Sequence, residues 1–432
     1  MKKIPVLIII FLLFLTIVSI KAQEEVITWQ KRYGGSDGDG ADSIQQTEDG
    51  GYIVAGSSNS IDIPGVKNNG PTDCYILKLD SKGNIIWQKM YGGNGVDWAY
   101  SVLQTKDGGY IVAGVSDSKD IPGLQNKGNF DYYILKLDPK GNIQWQKMYG
   151  GSGNEEYKCS IQQTEDGGYI LAGTSDSKDI PKVNNNGKYD YYILKLDVNG
   201  NIIWQKMYGG REDDEVYSVQ QTKDGGYILA GDTESKDIPG LKNNGLFDIY
   251  IIKLDSKGNI QWQKLYGGSD NDGARSILQD KDGEYIVGGW SFSGNLSGIK
   301  NKGNDDYYIL KLDSKGNIIW QKMYGGGGYD AVNSISQTND ESYIVAGFSN
   351  SWEIPGVKYI GDYDYYILKL DSKGNIIWHN KYGEGLEDYP HSIQQTKDGG
   401  YIVAGEFGVA SGNDLSYDIG IVKVDSHGNL GK

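Results

Sequence analysis

Seven acids share one spacing. Asp39, Asp97, Asp214, Asp272, Asp330 and Asp388 each follow a Tyr by six residues, and Glu155 or Glu156 takes the place in a segment that is one residue longer. Acids set in Gly-rich connections can cap loop backbone N–H groups or ligate calcium. Second acids at Asp37, Asp213 and Asp270 make Asp37, Asp39, Asp213, Asp214, Asp270 and Asp272 the calcium candidates, although no segment carries a full D-x-D-x-D-G ladder. No other cofactor is expected. Paired carboxylates would also serve a glycosidase or lyase, and any acidic surface offers such pairs. The three histidines, His379, His391 and His427, do not pair at ligand spacing. A G-x-S-x-G nucleophile setting is lacking. No catalytic residue is therefore assigned.

A second set of residues suits binding. Trp290, Phe292, Phe348, Trp352, Tyr359 and Phe407 fall late in the chain, where earlier segments carry Ser57, Val115, Thr174 and Asp232 or an S-x-D-I-P loop. Tyr329, Tyr389 and His391 lie in nearby connections of the same stretch. Aromatics gathered beside acids and amides suit a carbohydrate or a partner protein. They could equally fill space left by altered loops.

The elements that must position these residues come from a repeat. Trp29, Trp87, Trp145, Trp204, Trp262, Trp320 and Trp378 are 58 residues apart, with one interval of 59. A period of this size marks copied supersecondary units that bury one another's faces. The copy from Tyr91 to Tyr149 holds four β-rich runs, SVLQT, GYIVAGV, DYYILKLD and NIQWQKMY, with KDGG and PKGN between the outer pairs. Such turns close tight hairpins. Each unit is thus predicted to be a four-stranded antiparallel sheet, with strands a, b, c and d in chain order. Radial repetition of such sheets gives an all-β seven-bladed β-propeller. VITWQKRY near the start reads as a lone strand d, and the C-terminal unit stops after its strand c, so the N-terminal strand is predicted to complete the last blade.

Polar positions repeat in every copy. Strand a carries Ser with Gln three residues on, from Ser43 and Gln46 to Ser392 and Gln395; strand c opens with Asp and ends Lys-x-Asp. Seven copies of one catalytic residue make no mechanistic sense, so these groups are expected to cross-link strands. The tryptophans are expected to wedge between blades.

The chain carries a net charge of −15, which disfavours nucleic acid and anionic membrane surface as partners. Residues 1–22 combine Lys2, Lys3, the run IPVLIIIFLLFLTIVSI and a terminal Lys-Ala, which describes a secretory signal peptide. Its removal would take the charge to −18, because it holds three lysines and no acid. The expected organisation is a leader over 1–22 and a single propeller domain over 24–432, exported to the cell surface, the periplasm or the medium, with no membrane insertion after cleavage. Cys74 and Cys159 fall in non-adjacent copies, so no disulfide between them is expected.

The stretch LDSKGNIIWQKMYGG, at 79–93 and again near-identically at 312–326, resembles the tryptophan-docking repeat of quinoprotein-type propellers, with one residue fewer between Asp80 and Gly83. With DGGYIVAG it is similar to the repeats of exported bacterial β-propeller proteins. The resemblance covers 26–432 and implies fold and export; it transfers no quinone-binding residue. The reading from sequence is an exported, non-catalytic binding propeller whose ligand is a glycan or a protein. The alternative is a polysaccharide-acting enzyme using carboxylates on the loop face.

Overall fold

The computed structural model describes residues 26–155, 158–411 and 414–431. The expected leader at 1–22 lies outside the described residues. Seven four-stranded antiparallel sheets surround an axis. In blade 1, strand a is Asp39–Gln46, b is Tyr52–Ser58, c is Asp73–Leu79 and d is Ile85–Tyr91. Strand a of each blade lies next to strand a of its neighbours, which makes it the innermost. Strands b and c are buried almost throughout, so they read as continuous apolar runs rather than alternating ones. The hairpin turns close through glycines with positive φ, as at Gly50 (83°) and Gly83 (75°), a conformation a side chain would strain.

The core lies between blades. Ile53, Ala55, Cys74 and Ile76 of blade 1 pack against Ala99, Val102, Tyr110 and Val112 of blade 2 in one cluster. No blade is therefore a folding unit by itself. Cys74 and Cys159 are both buried and unpaired.

The repeated polar residues stitch neighbouring blades. Ser43 Oγ accepts the N–H of Val102 at 3.2 Å, and the same bond recurs around the ring until Ser392 Oγ accepts from Ile44. Gln104 Oε1 accepts from Glu48 N at 2.8 Å, and Gln46 Oε1 accepts from Lys397 N across the closing seam. The strand-d Tyr crosses each joint as well: Tyr91 OH donates to Gly141 O at 2.5 Å and Tyr266 OH to Gly316 O at 2.6 Å. Trp87 lies over the turn of the next blade, where a Cβ on Gly141 would fall 3.0 Å from its ring. Lys78 satisfies Asp49 within blade 1 at 2.9 Å. These contacts give the repeated polar groups and tryptophans the structural roles expected of them.

The N-terminal strand closes the ring. Trp29–Tyr33 pairs antiparallel with strand c of blade 7, from Trp29 opposite Lys423 to Tyr33 opposite Ile419. Blade 7 is therefore built from both ends of the described chain, with Trp29–Tyr33 outside Asp414–Val424, Tyr401–Ser411 and Asp388–Gln395.

Candidate functional site on the loop face and the axis

The innermost strands share an irregularity. In six blades the pairing of strand a with strand b skips one residue, and the skipped residues are Asp42, Tyr100, Tyr217, Arg275, Asn333 and His391. A β-bulge takes its residue off the ladder and re-aims the side chain. Here the side chains turn to the axis, where they and Lys158 of blade 3 line a cavity of about 130 Å³. The strand-b Gly opposite each bulge has no room for a side chain: a Cβ on Gly56 would fall 1.8 Å from Gly40 O. This explains the strand-b Gly of the six bulged blades; in blade 3 a Cβ on Gly173 would instead meet Tyr132 OH.

Lys158 crosses the channel. Its ammonium pairs with Asp42 of blade 1 at 2.8 Å and lies 3.2 Å from His391 Nδ1 of blade 7. His391 Nε2 is 3.7 Å from Glu406. Arg275 pairs with Asp232 at 3.1 Å and stacks 3.6 Å over the Tyr217 ring. Burial pushes the Asp232 carboxyl up to about 7; Arg275 opposes the rise and Glu215 adds to it.

The repeated loop acids are caps. Asp39 Oδ2 accepts Gly35 N at 2.7 Å and Ser60 Oγ at 2.9 Å, and Asp97, Asp214, Asp272 and Asp330 repeat the pattern. In blade 3 the place is taken by Glu155, whose Oε2 accepts Gly151 N at 3.1 Å. Each acid is buried, and all but Asp39 face the strand-c Asp of the preceding blade across a glycine. A Cβ on Gly92 would fall 2.4 Å from Asp97 Oδ2 and 2.7 Å from Asp73 Oδ1. Burial raises these carboxyls, Glu155 to about 8 and Asp214 to about 7. Of the second acids, Asp37 and Asp270 are exposed and accept from the next backbone N–H, while Asp213 is half-buried and lies 3.8 Å from Lys188. The structure does not gather the calcium candidates into a three-acid set. Among the described residues the one such set is Asp280, Asp282 and Glu284, at the opposite hairpin face, where the Lys311 ammonium is bonded to Asp280 and 3.2 Å from Glu284.

The aromatics of blades 5 to 7 form two runs on the loop face. Trp290, Phe292 and Tyr329 are joined at centroid distances of 5.6 and 6.3 Å. Phe348 meets Tyr389 at 5.4 Å, and Tyr389 continues to Tyr363 at 5.3 Å and Tyr417 at 6.2 Å. Trp352 is 73% exposed, Tyr359 46% and Tyr329 40%; Trp290, Phe292, Phe348 and Tyr389 are half-buried. Volume is exchanged between facing strands: Trp290 stands opposite Gly273, whose Cβ would fall 2.7 Å from the indole, and Phe348 stands opposite Ala331.

Two placements depart from the sequence reading. Phe407 is fully buried, packed 5.0 Å from Tyr365 with Arg32 over its ring, so it presents no surface. Its register partner is Asp388; Glu406 holds the position equivalent to Trp290 and Phe348. His391 belongs to the axial ring, not to the aromatic surface. Sequence reasoning also passed over Trp98 and Phe130 of blade 2, stacked at 5.7 Å, and the remaining bulge residues.

No family model matches the chain. Regulatory protein FlaEY of Caulobacter vibrioides is 22% identical over 76% of this chain and 38% of its own length. The uncharacterized WD repeat-containing protein L264 of Acanthamoeba polyphaga mimivirus is 21% identical over 73% of this chain and 30% of its own length. The chain is a seven-bladed propeller distantly related to both. It spans well under half the length of either relative. Among solved structures, puromycin hydrolase shares the fold with a TM-score of 0.51 at 9% identity, over 93% of this chain and 55% of that one. A protein of unknown function from Dyadobacter fermentans aligns with a TM-score of 0.46 at 11% identity, over 93% of this chain and 98% of that one.

Proposed function

We propose that this propeller is an exported, non-catalytic binding module, and that the loop face of blades 5 to 7 receives a glycan or a protein partner at the cell surface, in the periplasm or outside the cell. The observation that carries the reading is the pair of joined aromatic runs, with Tyr329 of one run and Trp352 and Tyr359 of the blade 6 loop exposed. Such side chains can cover the apolar face of a sugar or anchor a partner, and they do not repeat seven-fold. Glu387 accepts from Tyr389 OH at 3.1 Å and Tyr417 OH at 3.0 Å, which holds these rings in place. The net charge of −15 disfavours nucleic acid. The basic start and apolar run of residues 1–22 support export.

A carboxylate enzyme is less well supported. The repeated loop acids raised toward neutrality, such as Glu155 and Asp214, sit fully buried in the joints between blades, away from any polysaccharide. The test is incubation of the protein with a panel of polysaccharides, read by affinity electrophoresis and by chain length. Retardation without shortening is expected for a glycan ligand. Depolymerisation beyond a buffer control would replace the binding reading with the enzyme.

A further inference from the structure

We propose that blade 5 carries an intramolecular amide cross-link between Lys311 and Asp280, formed by loss of water with Glu284 as the proton relay. The other six blades share one arrangement at the hairpin between strands a and b. A Thr follows strand a, and the strand-c Lys pairs with the Asp of the turn, as Lys78 does with Asp49 at 2.9 Å. Blade 5 departs from this twice. Asp280 replaces the Thr found from Thr47 to Thr396, and Glu284 stands where the other blades have Gly or, in blade 6, Ser342. Both changes bring a carboxylate to the same lysine. They also move its partner inward. The Asp49 side chain is 58% exposed, that of Asp280 only 1%, and that of Lys311 5%.

The groups around Asp280 are those of an acyl transfer. Its Oδ1 accepts the N–H of Asp282 and the N–H of Glu284, each at 3.0 Å. Its Oδ2 meets the Lys311 ammonium and accepts from Tyr343 OH at 3.1 Å, and that hydroxyl lies 2.6 Å from Nζ. Glu284 Oε2 is 3.2 Å from Nζ, and a Glu284 oxygen lies within 4.8 Å of an Asp280 oxygen. An amide forms from a neutral amine and a carboxylic acid, and burial disfavours the charged forms of both. It draws the Lys311 ammonium down to about 8. Burial and the charges of Asp282 and Asp313 raise the Glu284 carboxyl, which suits a group that takes and returns a proton. Lys311 first gives one proton to Oδ2. Its free amine then attacks Cγ, and charge develops on Oδ1 between the two N–H groups, as in an oxyanion hole. Glu284 takes a second proton from the nitrogen and hands it to Oδ2. The Cγ–Oδ2 bond breaks, the C–N bond remains, and Oδ2 leaves as water. Ammonium and carboxylate thus become amide and water, with no oxidant or cofactor consumed. The product closes a span of 31 residues and ties the end of strand a to strand c, in a chain whose two cysteines are unpaired.

Peptide mapping of the purified full chain tests this, because trypsin cuts after a free lysine and not after an acylated one. The unfolded and digested parent should yield a branched peptide, residues 276–281 joined to residues 303–315, lighter than the two together by one water, about 18 Da. Lys311→Arg and Glu284→Gln should each lack that loss, and Lys78→Arg in blade 1 should keep it. Circular dichroism establishes that the variants fold, and the map of the parent decides the matter if they do not. Cleavage after Lys311 in the parent, with residues 276–281 recovered as a separate peptide, would overturn the proposal. So would a water loss that survives in Lys311→Arg, which places the dehydration at an Asp-Gly turn, or a cross-link that forms undiminished in Glu284→Gln.

Discussion

Asp214→Asn should stabilise the protein at pH 8 and leave it nearly unchanged at pH 4. Asp214 is fully buried, accepts Gly210 N at 2.7 Å and Ser235 Oγ at 2.9 Å, and faces Asp190 across Gly209. Burial, with a contribution from the Asp190 charge, pushes its carboxyl from 3.8 up to about 7. A folded-state acid raised in this way holds its proton longer than the unfolded chain does. Its contribution to stability is complete at low pH and is lost as pH rises from about 4 through about 7. At about 1.36 kcal/mol per pH unit the loss is on the order of 4 kcal/mol. Asparagine keeps the carbonyl acceptor for Gly210 and Ser235 and never ionises, so it escapes that loss. For a ring of this size, with an unfolding entropy of roughly 2 cal/mol/K per residue, the gain amounts to about 5 °C in Tm. Calorimetric melts of both proteins from pH 4.5 to 8.5 provide the assay. An offset in Tm that does not grow with pH, or a lower Tm for Asp214→Asn at pH 8, would refute the reasoning.

Deletion of residues 26–33 should expose the edge of strand c in blade 7 and remove Trp29, Tyr33 and the Arg32 bridge to Glu384. Given roughly 3–5 kcal/mol for losing one large buried aromatic, a drop of that order or more with aggregation is expected, and an unchanged melt would contradict the seam. Tyr266→Phe should cost about 1–3 kcal/mol, read from denaturant unfolding, because Gly316 O is left buried without its donor.

Much of the fold was legible because its determinants repeat. The Trp spacing, the Asp-Gly and Lys-Gly-Asn turns and the lone strand d at the start suffice for seven blades and their closure. The Ser and Gln of strand a could be assigned to cross-linking because a bond made seven times must be structural. The axial ring escaped the same logic. Asp42, Tyr100, Tyr217, Arg275, Asn333 and His391 are of five types over six copies, so they look like drift until the bulge turns them to the axis. A signal existed: the residue before each strand-a Ser carries a polar tip in six blades. Phe407 was misplaced because blade 7 shifts its aromatic by one residue, and in a strand one residue reverses the face. Trp290 and Phe348 were found from their departure from the other copies, but their packing over Gly273 and Ala331 depends on facing strands that the sequence does not align.

The central claim is that one sector of the loop face binds. Its most direct test is the affinity of the Tyr329→Ala, Trp352→Ala double variant for a ligand identified in the polysaccharide panel or by partner capture, measured beside Trp98→Ala in blade 2. Two exposed aromatic anchors at about 2 kcal/mol or more between them correspond to a loss of roughly thirtyfold or greater, with Trp98→Ala near the parent value. Full affinity in the double variant, or an equal loss in Trp98→Ala, would contradict the account.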